Sequence, residues 1–159
     1  MNIRKTVLST LLLSLALGAS AADLLDTVKQ RGTLKVALEG TYPPFNYKEN
    51  GQLAGFEVEL ANALAQKMGV KAEFSTSEWS AILAGLQANK YDVVINQVGI
   101  TDKRKETFDF SNPYTISSPQ LIIRKNETRH FNTLADLKGK KLGVGQGTNF
   151  GEIAKAVGG

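Results

Sequence analysis

Short apolar runs alternate with stretches of helical periodicity along this chain, and that alternation restricts the fold more than any single motif. Leu34 to Leu38 (LKVAL), Val70 to Phe74 and Asp92 to Gln97 (DVVINQ) each have the length and apolar character of a buried strand. Between the first two, Val58, Ala61, Leu64, Ala65 and Met68 recur at spacings of three and four. That pattern predicts an amphipathic helix over Phe56 to Met68, closed by Gly69. Trp79, Ile82, Leu83 and Leu86 mark a further helix ending near Asn89. Strands separated by helices of this length predict an α/β fold with a parallel sheet and right-handed crossovers.

The flanking segments fill in this plan. Asp23 to Arg31 reads as a short helix, with Asp23 as N-cap and Gly32 as its stop. After the first strand comes a loop with Gly40, Pro43, Pro44 and the turn pair Asn50-Gly51. Beyond Asp109 to Pro113 the chain extends again through Gln120 to Arg124, followed by a polar stretch from Lys125 to Asn132. Thr133 to Leu137 gives a helical turn, Lys141 to Val144 a strand, and Glu152 to Val157 the beginning of a helix. That last strand and helix have no return element. The polar stretch therefore reads as a linker into a second lobe that is incomplete in this chain.

The first residues, MNIRKTVLSTLLLSLALGASAA, have the three-part order of a secretory signal peptide. Arg4 and Lys5 form the positive region, Val7 to Leu17 the apolar core, and Ala19-Ser20-Ala21 the cleavage site before Ala22. The apolar run is short for a membrane span. There is no cysteine in the chain, which excludes a disulfide scaffold, a thiol nucleophile, a cysteine metal site and a lipid-anchored mature terminus. The net charge of +4 falls to +2 without the leader, 17 basic residues against 15 acidic. The basic clusters Lys103-Arg104-Lys105 and Lys138 with Lys140-Lys141 do not interleave with aromatics, so no nucleic-acid surface is expected.

Residues able to bind a small molecule gather after the predicted strands. Tyr42 and Phe45 follow the first strand and Trp79 the second, where loops of an open parallel sheet form ligand sites. Each aromatic taken singly reads equally well as loop filling. Arg104, in GITDKR after the third strand, can grip a carboxylate with two parallel hydrogen bonds; Gly99 and Thr101 share its loop. Gly145 to Asn149 leads from a strand into a helix, whose first N–H groups suit an anion. Two anion-friendly features plus aromatic walls suggest a small zwitterion or organic acid. Catalysis has little support: the single histidine, His130, lies in a polar stretch, and Glu57 and Glu59 point to different helix faces.

These pieces resemble the polar amino-acid family of bacterial extracellular solute-binding proteins, which deliver ligand to ABC importers. The most specific match is Gly55-Phe56-Glu57-Val58-Glu59-Leu60 with Leu64, Ala65 and Met68. GTYPPF, the Trp79 segment through Asp92, FSNPYTIS (Phe110 to Ser117) and KGKKLGVGQGT (Lys138 to Thr148) are similar to family landmarks in the same order. Within the family, GTYPPF, DVVINQV and DFSNPYTIS look closest to cystine-binding members.

The resemblance implies a periplasmic-binding-protein-like α/β architecture: two lobes with parallel-type sheets, joined by two crossover strands and closing on ligand like a hinge. Its domains would be a signal peptide over 1–21, a first lobe over 22–123, and the crossover with the start of a truncated second lobe over 124–159. By position, Arg104 would bind the ligand α-carboxylate, aided by the Gly99 backbone N–H, with Thr148 and Asn149 closing from the second lobe. Gln97 would approach the α-ammonium, with Asn96 nearby. Tyr42 and Trp79 would line the side-chain pocket, supported by Phe45, and Glu39 stands where some relatives read a basic side chain. The implied protein is a monomer free in the periplasm, binding an amino acid, cystine first, and an ABC permease. No cofactor, metal or catalytic residue is implied. Enzymes on the same scaffold, such as cyclohexadienyl dehydratases, and ligand-sensing ectodomains are the competing readings. Half a clamp is expected to bind its amino acid weakly or not at all.

Overall fold

The structure is a computed structural model that describes residues 23–158; the expected leader over 1–21 lies outside the described residues. In chain order the elements are α1 (Leu24–Arg31), β1 (Thr33–Leu38), β2 (Tyr47–Glu49), β3 (Gln52–Ala54), α2 (Phe56–Lys67), β4 (Lys71–Thr76), α3 (Trp79–Gln87), β5 (Val93–Val94) and α4 (Asp102–Lys105). A 3-10 turn (Leu134–Leu137) and α5 (Asn149–Ala156) follow.

A parallel sheet in the order β4-β1-β5 forms the centre. β1 pairs with β4 from Thr33↔Lys71 to Leu38↔Thr76, and with β5 at Val36↔Val93 and Ala37↔Val94. β1 takes the middle position because its sequence is apolar on both faces, as a strand covered from two sides must be. Side chains alternate along a strand. Leu34 and Val36 accordingly meet Val28 of α1, Ala61 and Ala65 of α2, and Ile95. Ala37 faces the other way onto Ile82 of α3 and Tyr91. The result is a helix–sheet–helix sandwich in which each fully buried aliphatic side chain contributes about 1.5–3 kcal/mol.

Most of the periodic segments form where their spacing places them. Asp23 caps α1, accepting the Leu25 N–H at 3.5 Å, and Gly32 ends it with a left-handed φ of 74°. Asn50 and Gly51 both have positive φ (52° and 82°), which joins β2 and β3 as a tight hairpin. The sequence marked the turn but not its two short strands. The entry to α2 depends on the preceding loop: Phe56 N–H donates to the Pro44 carbonyl at 3.2 Å and Glu57 N–H to the Phe45 carbonyl at 2.8 Å. These carbonyls take up helix N–H groups that have no partner within a helix. A β-carbon at Gly55 would lie 2.5 Å from the Phe45 oxygen, and Gly55 also holds φ 111°, so only glycine fits between loop and helix.

Two strand expectations are corrected. Lys141 to Val144 forms no strand, because among the described residues no neighbouring strand lies beside it to share a ladder. Gln120 to Arg124 likewise pairs with nothing described, and the run from Ser111 to Asn126 is exposed, with Ile116 96% and Ile122 94% accessible. The third strand is shorter than Asp92 to Gln97. Its ladder holds only Val93–Val94, because Gln97 turns into left-handed backbone at φ 49°.

Gly85 lies against Tyr91, whose hydroxyl donates to the Ile82 carbonyl at 2.5 Å; a β-carbon at Gly85 would sit 2.1 Å from that oxygen. Gly85→Ala is therefore expected to lower stability by roughly 1–3 kcal/mol through overpacking, read by urea unfolding, despite alanine's better helix propensity.

Candidate functional site

The loops that leave the carboxyl ends of β1, β4 and β5 carry Tyr42, Trp79 and Arg104, and the fold separates the expected site residues into two linked groups. The first centres on Arg104. Its guanidinium carbon stands 5.3 Å from the centre of the Trp79 ring, a cation–π distance. Nη1 donates to the Gly99 carbonyl at 2.8 Å and Nη2 to the Gly147 carbonyl at 3.3 Å. Thr101 caps α4 by accepting the Arg104 N–H at 3.2 Å, which fixes where the side chain starts. Burial lowers the Arg104 pKa from its ordinary value, with the Glu152 charge acting against that shift; an arginine nonetheless stays charged.

Thr148 and Asn149, at the start of α5, face this group. The Thr148 hydroxyl donates to the Gly145 carbonyl at 2.7 Å. The Asn149 Oδ1 lies 3.8 Å from where a Gly99 β-carbon would be. A cavity of about 640 Å3 is lined by Arg104, Thr148 and Asn149 together with Lys103, Glu152 and Lys155. Tyr42, Phe45, Trp79, Gln97 and Gly99 are not among its lining residues. Lys103 of α4 pairs with Glu152 of α5 at 2.7 Å on the exposed rim.

The second group is built on Glu57, which composition and spacing gave no reason to single out. Spacing did separate it from Glu59: Glu57 is wholly buried and Glu59 exposed. Glu57 Oε2 accepts from Asn46 Nδ2 at 2.5 Å. Its Oε1 accepts from the Gln97 N–H at 2.7 Å, Gln97 Nε2 at 3.1 Å and the Tyr114 hydroxyl at 2.5 Å. Asn46 and Asn96 extend the network to Glu39: Asn46 Nδ2 also reaches Asn96 Oδ1 at 3.0 Å, and Asn96 Nδ2 donates to Glu39 Oε2 at 2.7 Å. Burial, and then the hydrogen bond to Glu57, push the Tyr114 phenol above its ordinary pKa. Tyr42 and Phe45 pack with their rings tilted 43° to each other, centres 5.3 Å apart, and join this group through the Phe45 carbonyl bonded to Glu57 N–H. Only the partners, Asn46 in the preceding loop and Gln97 and Tyr114 far downstream, reveal why Glu57 is buried, and their proximity is a product of the fold.

Glu57→Gln keeps the shape but turns one acceptor oxygen into a donor facing donors. It is expected to cost about 2–3 kcal/mol in urea unfolding, while Glu59→Gln stays within about 0.5 kcal/mol.

The Lys103–Glu152 pair should titrate. The hydrogen bond from Lys103 holds the Glu152 carboxyl below its ordinary range, and the reciprocal bond raises Lys103. A lowered acid contributes above its unfolded pKa and loses that contribution as pH falls through the folded value; a raised lysine loses its contribution as pH rises through its own. The pair should therefore open as pH falls below the ordinary glutamate range, seen as a Glu152 carboxyl shift by NMR that moves together with the Lys103 ammonium signal. In Glu152→Gln the acid-side movement of Lys103 should vanish.

Residues 34–149 match the bacterial extracellular solute-binding proteins, family 3. The L-cystine-binding protein TcyJ of Escherichia coli (strain K12) is 48% identical over 155 residues, covering 94% of this chain and 58% of that relative. The chain thus spans somewhat over half the length of TcyJ. The ancestral amino acid-binding protein AncCDT-1, a precursor of cyclohexadienyl dehydratase, superposes with a TM-score of 0.77 at 38% identity, covering 85% of this chain and 61% of that one. The arginine-bound form of domain 1 from TmArgBP has a TM-score of 0.55 at 38% identity, covering 56% of this chain and 71% of that one. From the match across most of its length and the shared α/β architecture, the chain belongs to the bacterial extracellular solute-binding proteins, family 3.

Proposed function

We propose that this chain supplies the ligand-recognising part of the periplasmic substrate-binding component of an ABC importer for polar amino acids, with cystine as the first ligand. In this reading a signal peptide over 1–21 exports the protein, which is unanchored and monomeric. Residues 22–123 make the first lobe, and 124–159 make the crossover and the start of the second. The identity to L-cystine-binding TcyJ supports cystine, and the arginine-bound form of TmArgBP domain 1 supports placing much of the grip on the first lobe.

The observation that carries the reading is the setting of Arg104: half-buried, laid over Trp79 and aimed between Gly99 and the turn before α5. A ligand α-carboxylate would take the guanidinium fork from the two backbone carbonyls, exchanging neutral acceptors for a charged one. Thr148 and Asn149 would close on the same carboxylate with the first amides of α5. The Gln97 side chain is already engaged, by Glu57 on its nitrogen and by the Thr115 hydroxyl on its oxygen (2.9 Å), which leaves its backbone carbonyl for the ligand ammonium. Tyr42, with Phe45 behind it, and Trp79 would flank the side chain. This is recognition without bond breaking, so the protein is read as a binder and not an enzyme.

Trp79 is the single tryptophan of the chain and reports directly on Arg104. Titrating the full-length protein with L-cystine should change its emission and release heat with one-to-one stoichiometry. Arg104→Lys keeps the charge but loses the fork, and should weaken binding by roughly 30-fold or more. Absence of heat and emission change with L-cystine, arginine and the other polar amino acids would overturn the reading.

A further inference from the structure

A hydrogen-bonded clasp joins the proposed binding loop to the chain on its way out of the first lobe. Two adjacent side chains make it. The Tyr114 hydroxyl donates to Glu57 Oε1 at 2.5 Å, and the Gln97 N–H, already on Glu57, also approaches the Tyr114 oxygen at 3.2 Å. The Thr115 hydroxyl donates to Gln97 Oε1 at 2.9 Å. Gln97 is thus held at its backbone amide and at both ends of its side-chain amide. It also adopts a left-handed backbone, φ 49°, which a residue with a β-carbon keeps only when its surroundings enforce it. The Tyr114 ring rests on Phe56 of α2, centres 6.1 Å apart. Tyr114 and Thr115 lie within the exposed run from Ser111 to Asn126 and tie it by hydrogen bonds to Glu57 and Gln97, while Ile116 immediately beyond stands almost fully exposed.

We propose that Tyr114, acting through Glu57, is a positioning residue for ligand capture: it enforces the left-handed Gln97 and so makes the aim of the binding loop and the setting of the segment leading to the crossover one equilibrium. The inference rests on the reading of Gln97 as a ligand contact. A site whose competent state is only partly populated binds more weakly by that fraction. Loosening the clasp should therefore weaken binding without touching any atom that meets the ligand. Because Tyr114 and Thr115 anchor the first-lobe segment that leads toward the crossover, movement of that segment and release of Gln97 follow each other.

Two measurements on the full-length protein test this. In the ligand-free protein, Tyr114→Phe should speed hydrogen exchange of the Gln97 amide by roughly tenfold, the effect of one charge-assisted hydrogen bond. Thr115→Val, a milder change, should speed it less. In the second measurement, Tyr114→Phe should raise the Kd for L-cystine roughly tenfold, chiefly through faster dissociation. That penalty should fall below about threefold in a Gln97→Gly background, where glycine takes the left-handed backbone unaided. Unchanged Gln97 exchange in both single variants would overturn the proposal, as would the same loss of affinity in both backgrounds. Failure of the wild-type protein to bind any amino acid counts against the proposed function instead, and the exchange measurement still decides the clasp.

Discussion

One half of the site is arranged around a carboxylate taken out of water, with no cation among its hydrogen-bond partners. A buried charge without a partner is costly unless hydrogen bonds replace its hydration, and among the described residues Glu57 makes no ion pair. Its oxygens are instead filled by Asn46, Gln97 and Tyr114, and it stands in the first turn of α2, where the helix dipole favours an anion. The donors come from the loop after β1, the loop after β5 and the segment leading away from α4. No two of them are neighbours in sequence. One acid thereby fixes three separate chain segments, and each has a reason to be where it is only while the other two are in place.

The sheet explains why those segments are close enough to share an acceptor. β4, β1 and β5 run parallel, so the connections that follow them all emerge at one edge, as ligand-binding loops of open α/β sheets do. Central β1 ends at Leu38, and the next residue, Glu39, already hydrogen-bonds Asn96, two positions after β5, through its N–H at 2.8 Å. Trp79 opens α3 directly after β4 and so comes to lie under the Arg104 that α4 presents. The proposed recognition depends on these placements more than on any unusual residue.

Much of this plan was legible in the sequence. The amphipathic spacing of Phe56 to Met68, the apolar LKVAL run and the capping pair Asp23 and Gly32 fixed a layered α/β fold, because those patterns express burial and local backbone geometry. The placing of Trp79 and Arg104 at one edge was also legible, since strand–loop–helix order sends such residues there, whereas Asn149 was placed beside them only by the family resemblance. Other features were not. Lys141 to Val144 has the composition of a strand but needs a partner, and pairing is not a local property. The role of Glu57 was hidden for the same reason, as an acid in the first turn of a helix is ordinary until its distant donors are known. Gln97 gave no sign of its left-handed backbone, which its surroundings impose.

The carbonyls of Pro44 and Phe45 cap α2, and Gly55 leaves no space between loop and helix. The loop that carries Tyr42 is therefore part of the scaffold through its backbone, while in the proposed function its rings flank the ligand. Residues lost or gained between Tyr42 and Asn46 would uncap the helix and move Glu57. Exchanges of the aromatic rings themselves leave those carbonyls untouched. Descendants of this chain that acquire a new ligand preference can thus be expected to have rewritten the rings while conserving the length of the loop.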